Sequence, residues 1–502
     1  MSRSLRAVLL GAAVAAALPA AAQASSAPPS KDPFYAPPAG YADAAPGTVL
    51  ATRQVTVSFN GTPATTSATQ VLYRTTDQLG RPAATVTTVM RPAIPSPVTR
   101  VISYQTAYNG VADTCRPSYA LQDGNSAANP VVGIQSAVML SYLAQGYTVV
   151  TPDFEGPTDD YGAGREEGQG TLDGVRAAER ALGLAPATPV ALAGYSGGSI
   201  ATVWAAQQAP DYAPELNLVA ASGGGVPVDF VHNLAYIESG SGWSGAIPAV
   251  GMGLARAYRL DLSELLSDRG REIMRETEKG CIVNDAFPGL KLADMFKPEY
   301  REWKNVPELA LTMNDSIMGR TGAPKVPTML GVGDQGDGGD GVMLVADVQQ
   351  LAHRYCAAGT PVDFNVYDHA DHTTAFPRIA ADEAVFFQRA FAGLPPASDC
   401  PVAPGASLDP IPTPATQPRL TDGITLTPGA DGVTVGAPTS ALANVTLTFS
   451  SESGETTVAV GDVPSFDERA VALPDAIDGC YRVTAAATMQ TAPVRTTTGT
   501  CR

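Results

Sequence analysis

The chain has 502 residues, 16% of them charged, with 32 Lys and Arg against 49 Asp and Glu for a formal net charge of −17. That balance excludes a nucleic-acid binder, which needs clustered Lys and Arg to neutralise phosphates; the negative charge serves solubility. The length exceeds one ordinary domain, so more than one folded unit is expected.

The chain opens with a positive end at Arg3 to Arg6, an alanine-rich apolar stretch from Ala7 to Leu18 and a small-x-small site at Ala22-Gln23-Ala24. This pattern predicts a secretory signal peptide over residues 1–24, cleaved after Ala24. The stretch is too short for a membrane span, and no later run is long enough, so the mature chain is expected to be secreted or periplasmic with no transmembrane segment. Residues 25–47, rich in Ser and Pro, read as a flexible segment. Six cysteines in an exported chain predict three disulfides.

From 48 to 394 the pattern alternates strand and helix, which predicts an α/β fold with a mostly parallel sheet. Strands are expected at Gln54 to Phe59, Gln70 to Tyr73, Thr85 to Met90, Arg100 to Tyr104, Tyr147 to Thr151, Val190 to Ala193, Leu216 to Ala221 and Val326 to Val332. Helices are expected at Ile134 to Ala144, Leu172 to Leu182 and Asp347 to Ala358. Residues 225–321 interrupt this rhythm with a long helical insertion holding the apolar run Trp243 to Leu254. It is read as a cap over the strand ends; an accessory bundle away from the site is the alternative. Residues 395–418 are a Pro-rich linker, and 419–502, with β-branched segments between Gly, Asp and Pro turns, read as a small β-sandwich.

The centre of this pattern is Pro189 to Ala201, where an apolar strand runs into Gly194-Tyr195-Ser196-Gly197-Gly198 and then a helix-compatible segment. A Gly-x-Ser-x-Gly between strand and helix presents its serine on a sharp elbow at the sheet's carboxyl edge. The Gly197 amide then stands at a helix N-terminus, where it can stabilise the oxyanion of a tetrahedral intermediate.

A serine nucleophile needs a base, and the base needs an acid to orient it. Of the four histidines, His353 falls in the helix-like segment 347–358 and reads as structural, and His232 lies in the insertion. His369 and His372 follow the alternating strand Val362 to Tyr367, where the order Ser, Asp, His puts the base. His372 is preferred, presented by the turn Asp368 to Asp371 ahead of a helix expected near Ile379. The strand Val326 to Val332 ends in a glycine-rich loop with Asp334, Asp337 and Asp340, any of which could be the acid. Within it, Gly331 to Gly336 matches a dinucleotide fingerprint but lacks the following helix. The every-third-residue aspartates lack the alternation of a calcium loop, leaving a structural cation as the alternative.

Several ordered stretches together resemble the secretory lipase family of α/β-hydrolases. They are Ser103-Tyr104-Gln105, Cys115-Arg116-Pro117-Ser118-Tyr119, Asp153-Phe154-Glu155-Gly156-Pro157, Leu172-Asp173-Gly174-Val175-Arg176, the elbow, Gly223-Gly224-Gly225-Val226-Pro227, Gly339-Asp340-Gly341, Asp347-Val348 and Asp371-His372. The resemblance covers roughly 48 to 393 and implies an ester hydrolase, a lipase or carboxylesterase, with nucleophile Ser196, base His372 and acid Asp340. It implies Gly197 and Asn109 as oxyanion donors, Asn109 standing where family members often carry an acidic residue. No cofactor or metal is implied. The expected partner is an ester or lipid, soluble or at a lipid-droplet or other insoluble-ester surface. An acyltransferase, a peptidase or a non-catalytic binding module are the alternatives.

The resemblance and chain order imply disulfides Cys115–Cys281, Cys356–Cys400 and Cys480–Cys501. The C-terminal β-domain lies outside the resemblance, and the cap is expected to set acyl-chain preference.

Overall fold

The computed structural model describes residues 26–500, apart from 65, 109, 239, 241, 283–285, 430 and 478. The expected signal peptide, Asn109 and Cys501 therefore lie outside the described residues.

The larger, N-terminal unit is built on a nine-stranded sheet. Its strands are β1 (Val49–Val55), β2 (Ala68–Thr76), β3 (Pro82–Met90), β4 (Val101–Gln105), β5 (Thr148–Pro152), β6 (Val190–Tyr195), β7 (Leu218–Gly224), β8 (Thr328–Asp334) and β9 (Val362–Asp368). They lie in the order β1-β2-β3-β5-β4-β6-β7-β8-β9. The first three strands pair antiparallel at one edge, and from β5 to β9 every pair is parallel. Strands buried on both faces read as continuous apolar runs, and β4, β5 and β6 are buried at every position.

The helices are α1 (Pro130–Ala144), α2 (Gly164–Leu182), α3 (Gly197–Tyr212), α4 (Phe230–Glu238), α5 (Ala246–Ala257), α6 (Asp268–Thr277), α7 (Pro307–Asp315), α8 (Val345–Ala357) and α9 (His372–Phe391). Successive strand residues face opposite sides. Ile102, Val149 and Ala191 pack with Val132, Met139 and Phe387 of α1 and α9, whereas Val101, Val150 and Leu192 pack with Leu172, Val175 and Ala205 of α2 and α3. The cap helices α4 to α7 share one apolar cluster with the sheet layer, joining Ile247, Val250 and Leu254 to Ile200, Val203 and Leu330. The cap is thus seated on the hydrolase core.

Beyond the linker, β10 (Thr425–Pro428), β11 (Gly432–Gly436), β12 (Leu442–Ser451), β13 (Gly454–Val463), β14 (Glu468–Ala472), β15 (Arg482–Met489) and β16 (Ala492–Gly499) form two antiparallel sheets. These are β10-β11-β14 and β13-β12-β15-β16, closed over a core of Val433, Val435, Leu447, Phe449 and Val483.

Three expectations differ from the structure. Residues 26–47, read as flexible, carry three 3-10 turns; Tyr35 is buried, with its hydroxyl 2.8 Å from Ser118 Oγ, and Asp32 pairs with Arg53 at 2.6 Å. The Pro-rich stretch 395–418 is a strap laid on the hydrolase: Leu408 is buried in its core, and Gly405 and Ala406 donate to Gln350 and Ala346 of α8. A proline-rich backbone keeps few donors, so side chains and carbonyls of the surface beneath it take them. Finally, the helix expected near Ile379 begins at His372, because Asp371 caps it, accepting from the Thr373 and Thr374 amides in a capping box with Thr374.

The disulfides Cys115–Cys281 and Cys356–Cys400 are present, and Cys480 is disulfide-bonded. No described helix is long and apolar enough to cross a membrane.

Candidate active site

Ser196 sits between β6 and α3 with φ 55° and ψ −126°, a conformation L-residues rarely adopt, so the surrounding structure must impose it. The glycines on either side permit the required close approach. A Cβ at Gly194 would lie 2.3 Å from the Gly198 carbonyl oxygen, and one at Gly198 would lie 1.9 Å from that of Gln105. Gly197 opens α3, so its N–H is among those at a helix start with no intrahelical acceptor.

The ends of β8 and β9 bring the other two side chains to this elbow. His372 Nε2 lies 2.9 Å from Ser196 Oγ, and His372 Nδ1 lies 2.8 Å from Asp340 Oδ2. All three are buried. A carboxylate oxygen can only accept, so Nδ1 carries the proton and Nε2 is left to accept from the serine hydroxyl. The other carboxylate oxygen of Asp340 accepts from the amides of Val342 and Met343 at 2.9 and 2.7 Å, and the Asp340 carbonyl accepts from the His372 amide at 2.7 Å. Asp340 is therefore held independently of the histidine it touches.

The neighbouring aspartates do other things. Asp334 accepts from the amides of Gly336 and Gly338 within its own turn, and Asp337 accepts from the Tyr236 hydroxyl of α4 at 2.9 Å. The three carboxylates diverge, and no cluster of metal-ligating side chains occurs among the described residues. The remaining histidines are elsewhere: His232 pairs with Asp347 at 3.0 Å, His353 reaches the Val402 carbonyl at 2.8 Å, and His369 occupies an exposed turn with φ 55°.

Several contributors are invisible in sequence. Tyr195, the variable residue of the elbow, donates its hydroxyl to the His372 carbonyl and places its ring 5.0 Å from the imidazole. Burial, and then the Asp340 and Asp371 charges, push this phenol well above its ordinary value, so it stays a donor. Trp243 from the cap meets the imidazole edge-on at 5.1 Å. On the loop that precedes Cys115, Asn129 Nδ2 donates to the carbonyls of Tyr108 and Cys115, and Gln135 accepts from the Ala107 amide. The position of Tyr195 inside the motif is a local signal for the first of these; the others depend on tertiary packing.

A cavity of about 330 Å³ opens beside this loop, between Val111, Gly245, Ala249, Cys281, Ile282 and Phe287. Phe287 donates its amide to Ser244, next to Trp243, at 3.1 Å.

Residues 121–398 match the family model described as secretory lipase. The chain is 35% identical over 376 residues to a protein of Mycobacterium tuberculosis named probable inactive lipase MT1628, covering 73% of this chain and 83% of that one. It is 33% identical over 380 residues to lipase A of Arthroderma benhamiae, covering 72% and 79%. Among solved structures, Candida antarctica lipase A in its closed state superposes with a TM-score of 0.69 at 29% identity over 76% of this chain and 91% of that one. The family and the disulfides point to a secreted protein. The chain belongs to the secretory lipase family.

Proposed function

We propose that this is a serine ester hydrolase, a lipase or carboxylesterase, working through an acyl-enzyme at Ser196. The observation that carries this reading is the unbroken hydrogen-bonded series from Ser196 Oγ through both ring nitrogens of His372 to Asp340. Ser196 Oγ attacks the ester carbonyl carbon as Nε2 takes its proton, and the Asp340 carboxylate stabilises the imidazolium and keeps its orientation. The tetrahedral oxyanion is met by the Gly197 N–H at the start of α3, with Asn109 as the second donor. Collapse expels the alcohol, which takes the proton from His372, and water repeats the sequence to release the acid.

The cavity lined by Val111, Ala249, Ile282 and Phe287, with Glu276, Thr277 and Lys279 also in its wall, borders both the cap and the oxyanion-side loop, and its apolar part suits an acyl chain. We assign acyl-length preference to it.

Purified protein should hydrolyse p-nitrophenyl esters and be labelled stoichiometrically at Ser196 by a fluorophosphonate, with Ser196→Ala losing both. Retained turnover in Ser196→Ala would refute the nucleophile. The name of the Mycobacterium relative favours a second reading, a catalytically silent member; an intact, folded sample that neither turns over nor labels would establish it. Comparing ester, amide and alcohol-acceptor reactions separates a hydrolase from a peptidase or acyltransferase.

A further inference from the structure

The β-domain lies beyond the family match, which ends at 398. It nevertheless contacts the loop from Ala107 to Cys115 and its flank: Arg116, next to Cys115, donates to Thr491 Oγ1 at 3.1 Å, and a second buried arginine makes the larger junction. Arg256, on cap helix α5, is 1% exposed. Its Nε donates to Ser440 Oγ at 2.5 Å, its Nη1 to the carbonyls of Val111 and Thr158 at 2.6 and 3.0 Å, and its Nη2 to Glu278 at 3.0 Å. One planar guanidinium thus joins the β-domain, the cap and the loop from Ala107 to Cys115.

The β-domain supports each end of this junction. Glu278 also accepts from the Ala441 amide and the Ser465 hydroxyl, Thr439 donates to the Leu260 carbonyl at 2.6 Å, and Gln490 donates to Val111 O at 3.4 Å. The loop is also linked to the cap covalently by Cys115–Cys281 and by the bridge between Gly110 and Cys281. Val111 lies two residues from Asn109, so a shift of its carbonyl moves the backbone expected to carry the second oxyanion donor.

We propose that Arg256 is a positioning residue, and the β-domain a brace, that hold this loop in register with the Gly197 amide; this rests on the hydrolase reading above. The fork geometry explains the choice of arginine, since five fixed donors can serve acceptors on four segments at once and a lysine cannot. Misplacing an oxyanion donor weakens transition-state binding more than substrate binding, so the effect falls on kcat.

The test uses the full-length secreted protein and a short soluble p-nitrophenyl ester, with kcat expressed per fluorophosphonate-labelled site. Arg256→Met should lower kcat about tenfold with KM changed less than about twofold. Arg256→Lys should recover part of the loss. The acidic limb of the kcat/KM profile should not move, because His372 and Asp340 are untouched. If Arg256→Met fails to fold, Ser440→Ala with Gln490→Ala decides, with an expected loss of about threefold in kcat. Unchanged kcat per site in a folded variant, a loss confined to KM, or a shifted acidic limb would overturn the brace and leave the hydrolase reading standing. A wild type that neither turns over nor labels would overturn the reading itself.

Discussion

The indole of Trp243 stands edge-on to the imidazole of His372, with ring centroids 5.1 Å apart and planes at 81°. The insertion at 225–321 therefore reaches the proposed base, and on the hydrolase reading the half-buried indole bounds the space open to a bulky substrate. Trp243→Ala should raise kcat/KM for bulky branched esters relative to p-nitrophenyl acetate by about tenfold, through relief of steric exclusion. A ratio unchanged within twofold would show that the indole does not bound the substrate site.

Asp340 is the carboxylate in contact with His372, whereas Asp334 and Asp337 bond to turn amides and to Tyr236. Asp340→Asn should cost about 10⁴-fold in kcat by favouring the wrong imidazole tautomer. Asp334→Asn and Asp337→Asn should stay within about threefold, since an amide oxygen can still accept. Equal losses at all three, reversed by added calcium, would instead indicate a cation-held loop.

A buried acidic cluster beneath the cap makes stability depend on pH. Burial, and then neighbouring carboxylates, raise Glu155 well above its ordinary value; burial raises Glu166 and Glu167 likewise, and lifts Asp160 to about 6. A raised carboxyl binds its proton more tightly in the folded chain than in the unfolded one. Its contribution is therefore fully present below the unfolded pKa of about 4 and is lost as pH rises through the folded value. The Tm should fall by about 5 °C or more between pH 5 and pH 8, and Glu155→Gln, which mimics the protonated form, should flatten that slope. A Tm that climbs over this interval would show that the cluster is paired as anions.

Cys115–Cys281 spans 166 residues and ties the oxyanion-side loop to the segment after α6. Replacing both cysteines by Ala should cost about 2–5 kcal/mol of stability. Activity at a temperature well below the new Tm should also fall, because the Gly110 to Cys281 bridge loses its anchor. Full activity per labelled site in the folded double variant would restrict the bond to stability alone.

Ala249 is fully buried on α5 and lines the cavity beside Val111. Ala249→Leu should shorten the longest acyl chain hydrolysed, lowering the laurate-to-butyrate ratio of kcat/KM about tenfold while sparing butyrate. An equal fall on both esters would place the acyl chain elsewhere.

Local backbone chemistry is legible in the order of the amino acids alone. The elbow is legible because close approach at Gly194 and Gly198 demands glycine, and the sheet because buried parallel strands are apolar throughout. The start of α9 is also specified locally: Asp371 and Thr374 form a capping box that makes His372 the first helical residue, although Pro377 follows inside the helix.

Contacts between segments distant in the chain were decided only by the tertiary structure. Asp334, Asp337 and Asp340 are alike in their local surroundings, and only the closure of the loop after β8 onto the start of α9 turns Asp340 toward His372. The strap at 395–418 and the segment 26–47 look open in composition, yet buried Leu408 and Tyr35 anchor them to surfaces that other segments build. Arg256 reads as one basic residue in an apolar helix. Its acceptors come from Val111, Thr158, Asp159, Glu278 and Ser440, and no local pattern specifies a junction that exists only once the cap and β-domain have docked.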